Sequence, residues 1–185
     1  VGDGERIRIH KGMGLVSNVF TDAAIASLPG TIAVGHARYA ATGTPHIANA
    51  QPLLSLSRLG QIAIAHNGSL TNADTLRKEL LEDGALLQTS TDSEVILNLL
   101  ARHKGDSFEE VFVDTVRRLV GAVSIVAMGP NWLIGYRDPL GHRPLSLGHL
   151  KGGYVIASET CALAAIGAEV VRDIRPGELV IIDRD

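Results

Sequence analysis

Residues 61–84 read QIAIAHNGSLTNADTLRKELLEDG. An apolar run, Gln61 to Ala65, meets an abrupt His66-Asn67-Gly68, and a helical pattern follows. The run predicts a strand and the later pattern a helix, so the junction decides how sheet and helix meet. An Asn-Gly pair ending a strand has two readings. It is a hairpin or strand-to-helix turn chosen for its positive φ, or it sets one amide side chain beside one unhindered backbone N–H, the two donors an oxyanion needs.

Working outward toward the N-terminus, Pro52–Ser57 pairs with 61–65 as a hairpin through Ser57-Arg58-Leu59-Gly60. His46–Gln51 is polar and irregular. Thr31–Tyr39 reads as an apolar strand that contains Gly35 and carries Arg38 near its end, before Ala40-Ala41-Thr42-Gly43-Thr44-Pro45 breaks the pattern. A guanidinium at a strand end either clamps a ligand carboxylate in a two-bond fork or makes a structural ion pair. Thr21–Leu28 is a short helix stopped by Pro29-Gly30, and the alternating Arg6–His10 is a short strand.

Toward the C-terminus, Thr71 or Asn72 caps a helix whose Leu76, Leu80 and Leu81 share a face, with Gly84 as its stop. Thr91 and Glu94 have capping-box spacing ahead of a second helix to about His103, with Val95, Ile96, Leu99 and Leu100 at helical period. Asp92 lies in its first turn, where a carboxylate is favoured by the helix dipole whether or not it does anything else. Ser107 and Glu110 begin a third helix with Val111, Phe112, Thr115, Val116 and Leu119 on one face, ending near Gly121. From Ala122 onward come short β-rich runs, AVSIVAMG, WLIGYR, PLSLGH, GYVIASE and ELVIID, with a small apolar helix at Thr160–Ile166. Strands, then a helical group, then strands predict an α+β domain of two sheets with segregated helix layers.

Composition narrows the function classes. The chain has 185 residues, 45% of them hydrophobic, which suits one domain. A net charge of -3 with both signs dispersed predicts no nucleic-acid and no membrane partner. Without a bilayer-length apolar segment or a signal-peptide core, the expectation is a soluble, cytoplasmic protein. One cysteine, Cys161, excludes a disulfide framework, and seven scattered histidines at no ligand spacing predict no metal site.

Gly35-His36-Ala37-Arg38, His66-Asn67-Gly68 and Thr91-Asp92-Ser93-Glu94, in this order, resemble the class II glutamine amidotransferases. Arg137-Asp138-Pro139-Leu140-Gly141-His142-Arg143-Pro144-Leu145 and Ala157-Ser158-Glu159-Thr160-Cys161-Ala162 are similar to the amidophosphoribosyltransferase family among them. The resemblance covers essentially the whole chain. It implies the N-terminal-nucleophile fold, an αββα four-layer sandwich, incomplete here at its N-terminal end. It implies a glutamine-hydrolysing (glutaminase) domain that supplies ammonia to form phosphoribosylamine from phosphoribosyl pyrophosphate, the first step of de novo purine biosynthesis.

By the same resemblance Arg38 holds the α-carboxylate of glutamine and Asp92 its α-ammonium, while Asn67 and Gly68 stabilise the oxyanion. Tyr39, Ala41, Thr42 and Gly43 shape a loop over the substrate; Ala41 stands where Thr is common and Ser69 where Asn is usual. The family's nucleophile is a cysteine in first position whose own α-amine is its base, and this chain begins with Val1. The expectation is therefore a fragment, residues 1–185, inactive without that cysteine, with Cys161 structural and His66 given no chemistry. No cofactor is expected in it. Mg2+, any iron–sulfur cluster, the partner phosphoribosyltransferase domain and homo-oligomeric assembly belong to the full-length parent. A non-catalytic glutamine-binding or interaction module, or another class II amidotransferase, are the alternatives.

Overall fold

The structure, a computed structural model, describes residues 1–38 and 46–183. Two antiparallel sheets form its centre. The larger has five strands in the order β1 (Leu53–Ser57), β2 (Gly60–Leu70), β3 (Gly121–Met128), β4 (Leu133–Arg137) and β8 (Leu179–Ile182). The smaller places β5 (Ser146–Leu150) between β6 (Gly153–Ala157) and β7 (Glu169–Asp173). Helices α3 (Ala73–Glu82), α4 (Asp92–Arg102) and α5 (Phe108–Arg117) follow β2 in the chain. Short helices α1 (Val16–Val19) and α2 (Asp22–Ala26) precede the sheets, and α6 (Thr160–Ala165) packs on β6 and β7.

Period-two alternation assigns the faces of the larger sheet. Ile62 and Ile64 of β2, Val123, Ile125 and Ala127 of β3, and Ile134 and Tyr136 of β4 share a core with the buried residues of α3, α4 and α5. Helix α4 touches β1, β2, α3 and α5, which is why Val95, Ile96, Leu97, Leu99 and Leu100 are all buried rather than a narrow stripe. Trp132 closes this core against Phe108 and Phe112, with ring centroids 4.4 and 6.2 Å away.

On the opposite face, Leu145, Leu147 and Ile174 meet Val126, Ile156 and Val180, joining the two sheets. Gly135 allows that approach, because a Cβ there would stand 2.7 Å from Ile156 Cδ1. The layers therefore run α3–α5, five-stranded sheet, three-stranded sheet, α6.

Several sequence expectations need correction. Arg6–His10 is not a strand: Ile7 makes one isolated bridge with Gly2 and gives its N–H to Gln61 Oε1 at 2.6 Å. Within Thr31–Arg38 only Ile32 bridges, again to Gly2, although Ile32, Val34, His36 and Arg38 turn inward in strand-like alternation. Leu81 is exposed, since two i, i+4 neighbours, Leu76 and Leu80, already occupy the buried face of α3. Asn72 does not cap α3. Its carboxamide instead donates to Arg118 O and accepts from Val120 N–H, tying the end of β2 to the connection between α5 and β3. Strand β7 was not expected; Glu169–Asp173 is exposed on both faces, and its sequence, EVVRD, carries no alternation to read.

Phe112, between helices and sheet, is the largest of the fully buried side chains. Phe112→Ala should lower unfolding free energy by about 3 to 5 kcal/mol in urea titrations.

Candidate functional site

The largest correction concerns the segment that opened the reading. His66-Asn67-Gly68 is not a turn. Strand β2 runs straight through it to Leu70, with Asn67 opposite Ser124 and Gly68 opposite Val123 on β3. The positive φ that Asn-Gly suggested is present, +144° at Gly68, but inside a paired strand. There a Cβ would meet Ala122 O at 1.9 Å, so the position admits glycine alone.

Strand β1 begins pairing at Leu53, opposite Ile64. Beyond Ile64, then, β2 keeps β3 on one side and loses its main-chain partner on the other. Two side chains replace that partner. The Gln51 carboxamide accepts from His66 N–H at 2.7 Å and donates to His66 O at 3.1 Å. Asp92 Oδ2 accepts the Leu70 N–H at 2.8 Å and lies 3.4 Å from Ser69 Oγ.

Between these two fastenings lies Gly68. Its neighbour Val123 turns the other way, giving its carbonyl to Asp138 N–H (2.8 Å) and its N–H to Asp138 Oδ2 (3.2 Å). Alternation along β2 thus directs the peptide groups of His66, Gly68 and Leu70 to the same open side, with the outer two capped. Asn67 projects on the other face of the strand from the buried His66, the face it shares with Ala63. Asn67, Gly68 and Ser69 are exposed.

Asp92 is held from its own side as well. Thr91 Oγ1 caps α4 by accepting from Glu94 N–H at 3.3 Å. Glu94 does not complete the expected capping box; its buried carboxylate accepts the N–H groups of Gln88 (2.6 Å) and Thr89 (2.8 Å). Arg77 donates to the carbonyls of Thr89 and Thr91, both at 3.1 Å, and fixes the same loop. One oxygen of Asp92 is thus committed to Leu70, while Oδ1 faces no protein donor among the described residues.

Arg38 lies in a cleft whose lining includes none of Asn67, Gly68 and Asp92. It shares this cleft, of about 590 Å³, with His36, Gln51, Lys11, Ala63 and Met128. Among the described residues no carboxylate pairs with its guanidinium. Its charge is felt at His36, whose pKa is lowered by burial first and by Arg38 second. His66 completes the line between Arg38 and Asp92: its ring is buried, with Nδ1 3.4 Å from Ser93 Oγ, and it senses both Asp92 and His36. Tyr39, Ala41, Thr42 and Gly43 lie outside the described residues.

Gln51 was missed in the sequence, where it sits in an irregular polar run; its only signal is a carboxamide directly before the proline that opens β1. Cys161 is exposed at the start of α6, remote from the cleft, with its S–H directed to Glu159 at 3.3 Å and its pKa raised by that carboxylate. Among the described residues no group of three or more His, Cys, Asp or Glu is placed to hold a metal, and no helix is long and apolar enough to cross a membrane.

Burial pushes the pKa of His66 down to about 4, with Asp92 opposing. The unfolded chain takes up that proton near the ordinary histidine value of about 6.5, so stability is fully present above it and falls as pH drops toward 4. Calorimetric Tm should fall between pH 7 and pH 5, and the fall should be shallower in His66→Gln. Equal slopes in the two proteins would contradict this origin.

Comparison with known proteins shows the family and the fold. The sequence profile of the glutamine amidotransferase domain matches residues 36–165. Amidophosphoribosyltransferase from Rhizobium etli is 44% identical over 182 residues, covering 98% of this chain and 37% of the relative. The Synechococcus elongatus enzyme of the same name is 48% identical, covering 98% and 38%. The solved glutamine phosphoribosylpyrophosphate amidotransferase from B. subtilis, complexed with ADP and GMP, superposes with a TM-score of 0.92 at 39% identity, over 98% of this chain and 39% of that one. The chain therefore spans well under half the length of these relatives. Its layers are those of the N-terminal-nucleophile sandwich. With the profile matched over most of its length and this fold beneath it, the chain belongs to the glutamine amidotransferase domain family.

Proposed function

We propose that this chain is the glutamine-hydrolysing domain of an amidophosphoribosyltransferase. In that role it releases ammonia for a phosphoribosyltransferase domain that converts phosphoribosyl pyrophosphate to phosphoribosylamine. The observation that carries the reading is the open Gly68 peptide beside Asn67, with the Asp92 carboxylate fastened to Leu70 two residues on, and with Arg38, which has no carboxylate partner among the described residues, in the cleft that Gln51 also lines. The names of the relatives supply the class of reaction.

The mechanism assigns each group a task. Arg38 takes the α-carboxylate of glutamine in a two-bond fork, for which its planar guanidinium is suited. Asp92, through Oδ1, takes the α-ammonium. A thiolate then attacks the side-chain amide carbon, and the carbonyl π electrons move to oxygen. Asn67 Nδ2–H and the Gly68 N–H donate to that oxygen, where the negative charge develops. Collapse re-forms the carbonyl as the nitrogen takes up the proton that the nucleophile's own α-amine removed from the thiol and leaves as ammonia; the γ-glutamyl thioester that remains is cleaved by water to glutamate, returning the thiol. Cys161 is not that thiol, because of its place on α6 and its raised pKa. The thiol comes from outside these 185 residues. Mg2+ and any iron–sulfur cluster belong to other parts of the parent enzyme, as does its assembly into oligomers.

Isothermal titration of the chain with L-glutamine tests the binding half. Arg38→Ala should weaken Kd by about ten- to a hundredfold, the worth of a charge-assisted fork of roughly 1.5 to 3 kcal/mol. Failure of the folded chain to bind would remove the reading. In protein carrying a cysteine-initiated segment ahead of Val1, Asn67→Ala should cut the kcat for ammonia release by about 10² to 10³.

A further inference from the structure

We propose that Gln51 is a positioning residue for the oxyanion site: its side chain stands in for a strand and sets where Asn67 and Gly68 lie. The inference rests on the glutaminase reading for its purpose, though not for its geometry.

The register of β1 on β2 would put the Gln51 main chain opposite His66, two residues beyond the Leu53–Ile64 pair. Pairing stops at Leu53, however, so the Gln51 main chain does not take that place. The Gln51 carboxamide then does what a peptide group would do. It offers one acceptor and one donor, and His66 uses both, at 2.7 and 3.1 Å. A carboxamide is the side-chain group that copies a peptide in this way, with neutral charge and both roles on one planar unit.

The placement of these bonds matters more than their strength. His66 is the last residue before Asn67, and its ring is locked on the other side by Ser93 and by burial. A peptide fixed at His66 and again at Leu70, by Asp92, leaves the intervening Gly68 N–H little freedom to turn toward Ala122 or to pair elsewhere. Catalysis by preorganised donors depends on that lack of freedom, because a donor that must reorient contributes less to the developing charge. Gln51 also lines the cleft that Arg38 lines, so one residue touches both the carboxylate-binding side and the oxyanion side.

The test uses the 185-residue chain, labelled with 15N, without and with L-glutamine. In Gln51→Met, which keeps length but removes both bonds, the Gly68 backbone amide and the Asn67 side-chain amide resonances should shift and broaden. Signals of Val95 and Ile96 in α4 should stay in place, and glutamine affinity should fall at least tenfold. Gln51→Glu keeps the acceptor for His66 N–H but sets an anionic oxygen against His66 O; it should displace the same two resonances while tolerating the site sterically. A merely structural role would lower Tm and leave Asn67 and Gly68 at their wild-type positions in the folded variants, which would overturn the proposal. Loss of folding in both variants would likewise assign Gln51 to the core instead. If the wild-type chain fails to bind glutamine, the functional reading falls, and the ligand-free spectra still decide the positioning role.

Discussion

Strand β2 outlasts its neighbour β1, and most of what is distinctive here follows from that mismatch. A strand that loses a partner exposes N–H and carbonyl groups that must be satisfied or left to solvent. In this chain Gln51 covers the group at His66 and Asp92 the group at Leu70. The Gly68 peptide between them stays open to whatever enters from that side. A donor of this kind cannot be built on a free loop with the same economy of motion, because a loop would have no ladder with β3 to hold it still.

The rest of the architecture serves to keep that edge in place. Helix α4 presents Asp92 from its first turn, and the loop before it is fastened by hydrogen bonds of the Glu94 and Arg77 side chains with Gln88, Thr89 and Thr91. Because α4 is buried on nearly every side, it has no room to slide, and Asp92 inherits that rigidity. The buried, neutral His66 links the helix to the strand without placing a charge beside Asn67 and Gly68. A cationic imidazolium there would need a counter-ion in the core.

Family membership and the details of the site were legible to different degrees. The three helices were readable because each carries an apolar period, and two of them a cap, that act locally: Thr91, Ser107 and the Val95–Leu100 pattern are examples. The Asn67-Gly68 pair was misread as a turn because the local signal for positive φ is the same in a turn and in a glycine-kinked strand. Only the ladder with β3 distinguishes the two. Asn72 and Glu94 show the same lesson. Both sit at capping positions, yet their side chains bond elsewhere, Asn72 across the fold to Arg118 and Val120 and Glu94 to the preceding loop at Gln88 and Thr89.

By itself the sequence determined the α+β class, the order of strands and helices, and the identities of Arg38, Asn67, Gly68 and Asp92 as a group that matches a family. These depend on residue type and spacing, which are written in the chain. Tertiary structure alone decided that Gln51 is part of the site, that β7 closes the smaller sheet, and that Asp92 spends one oxygen on Leu70. Each of those is a pairing between groups far apart in sequence, formed because an unsatisfied hydrogen-bonding group at a sheet edge takes the nearest partner the fold brings to it, and nearness in space leaves no mark in local composition.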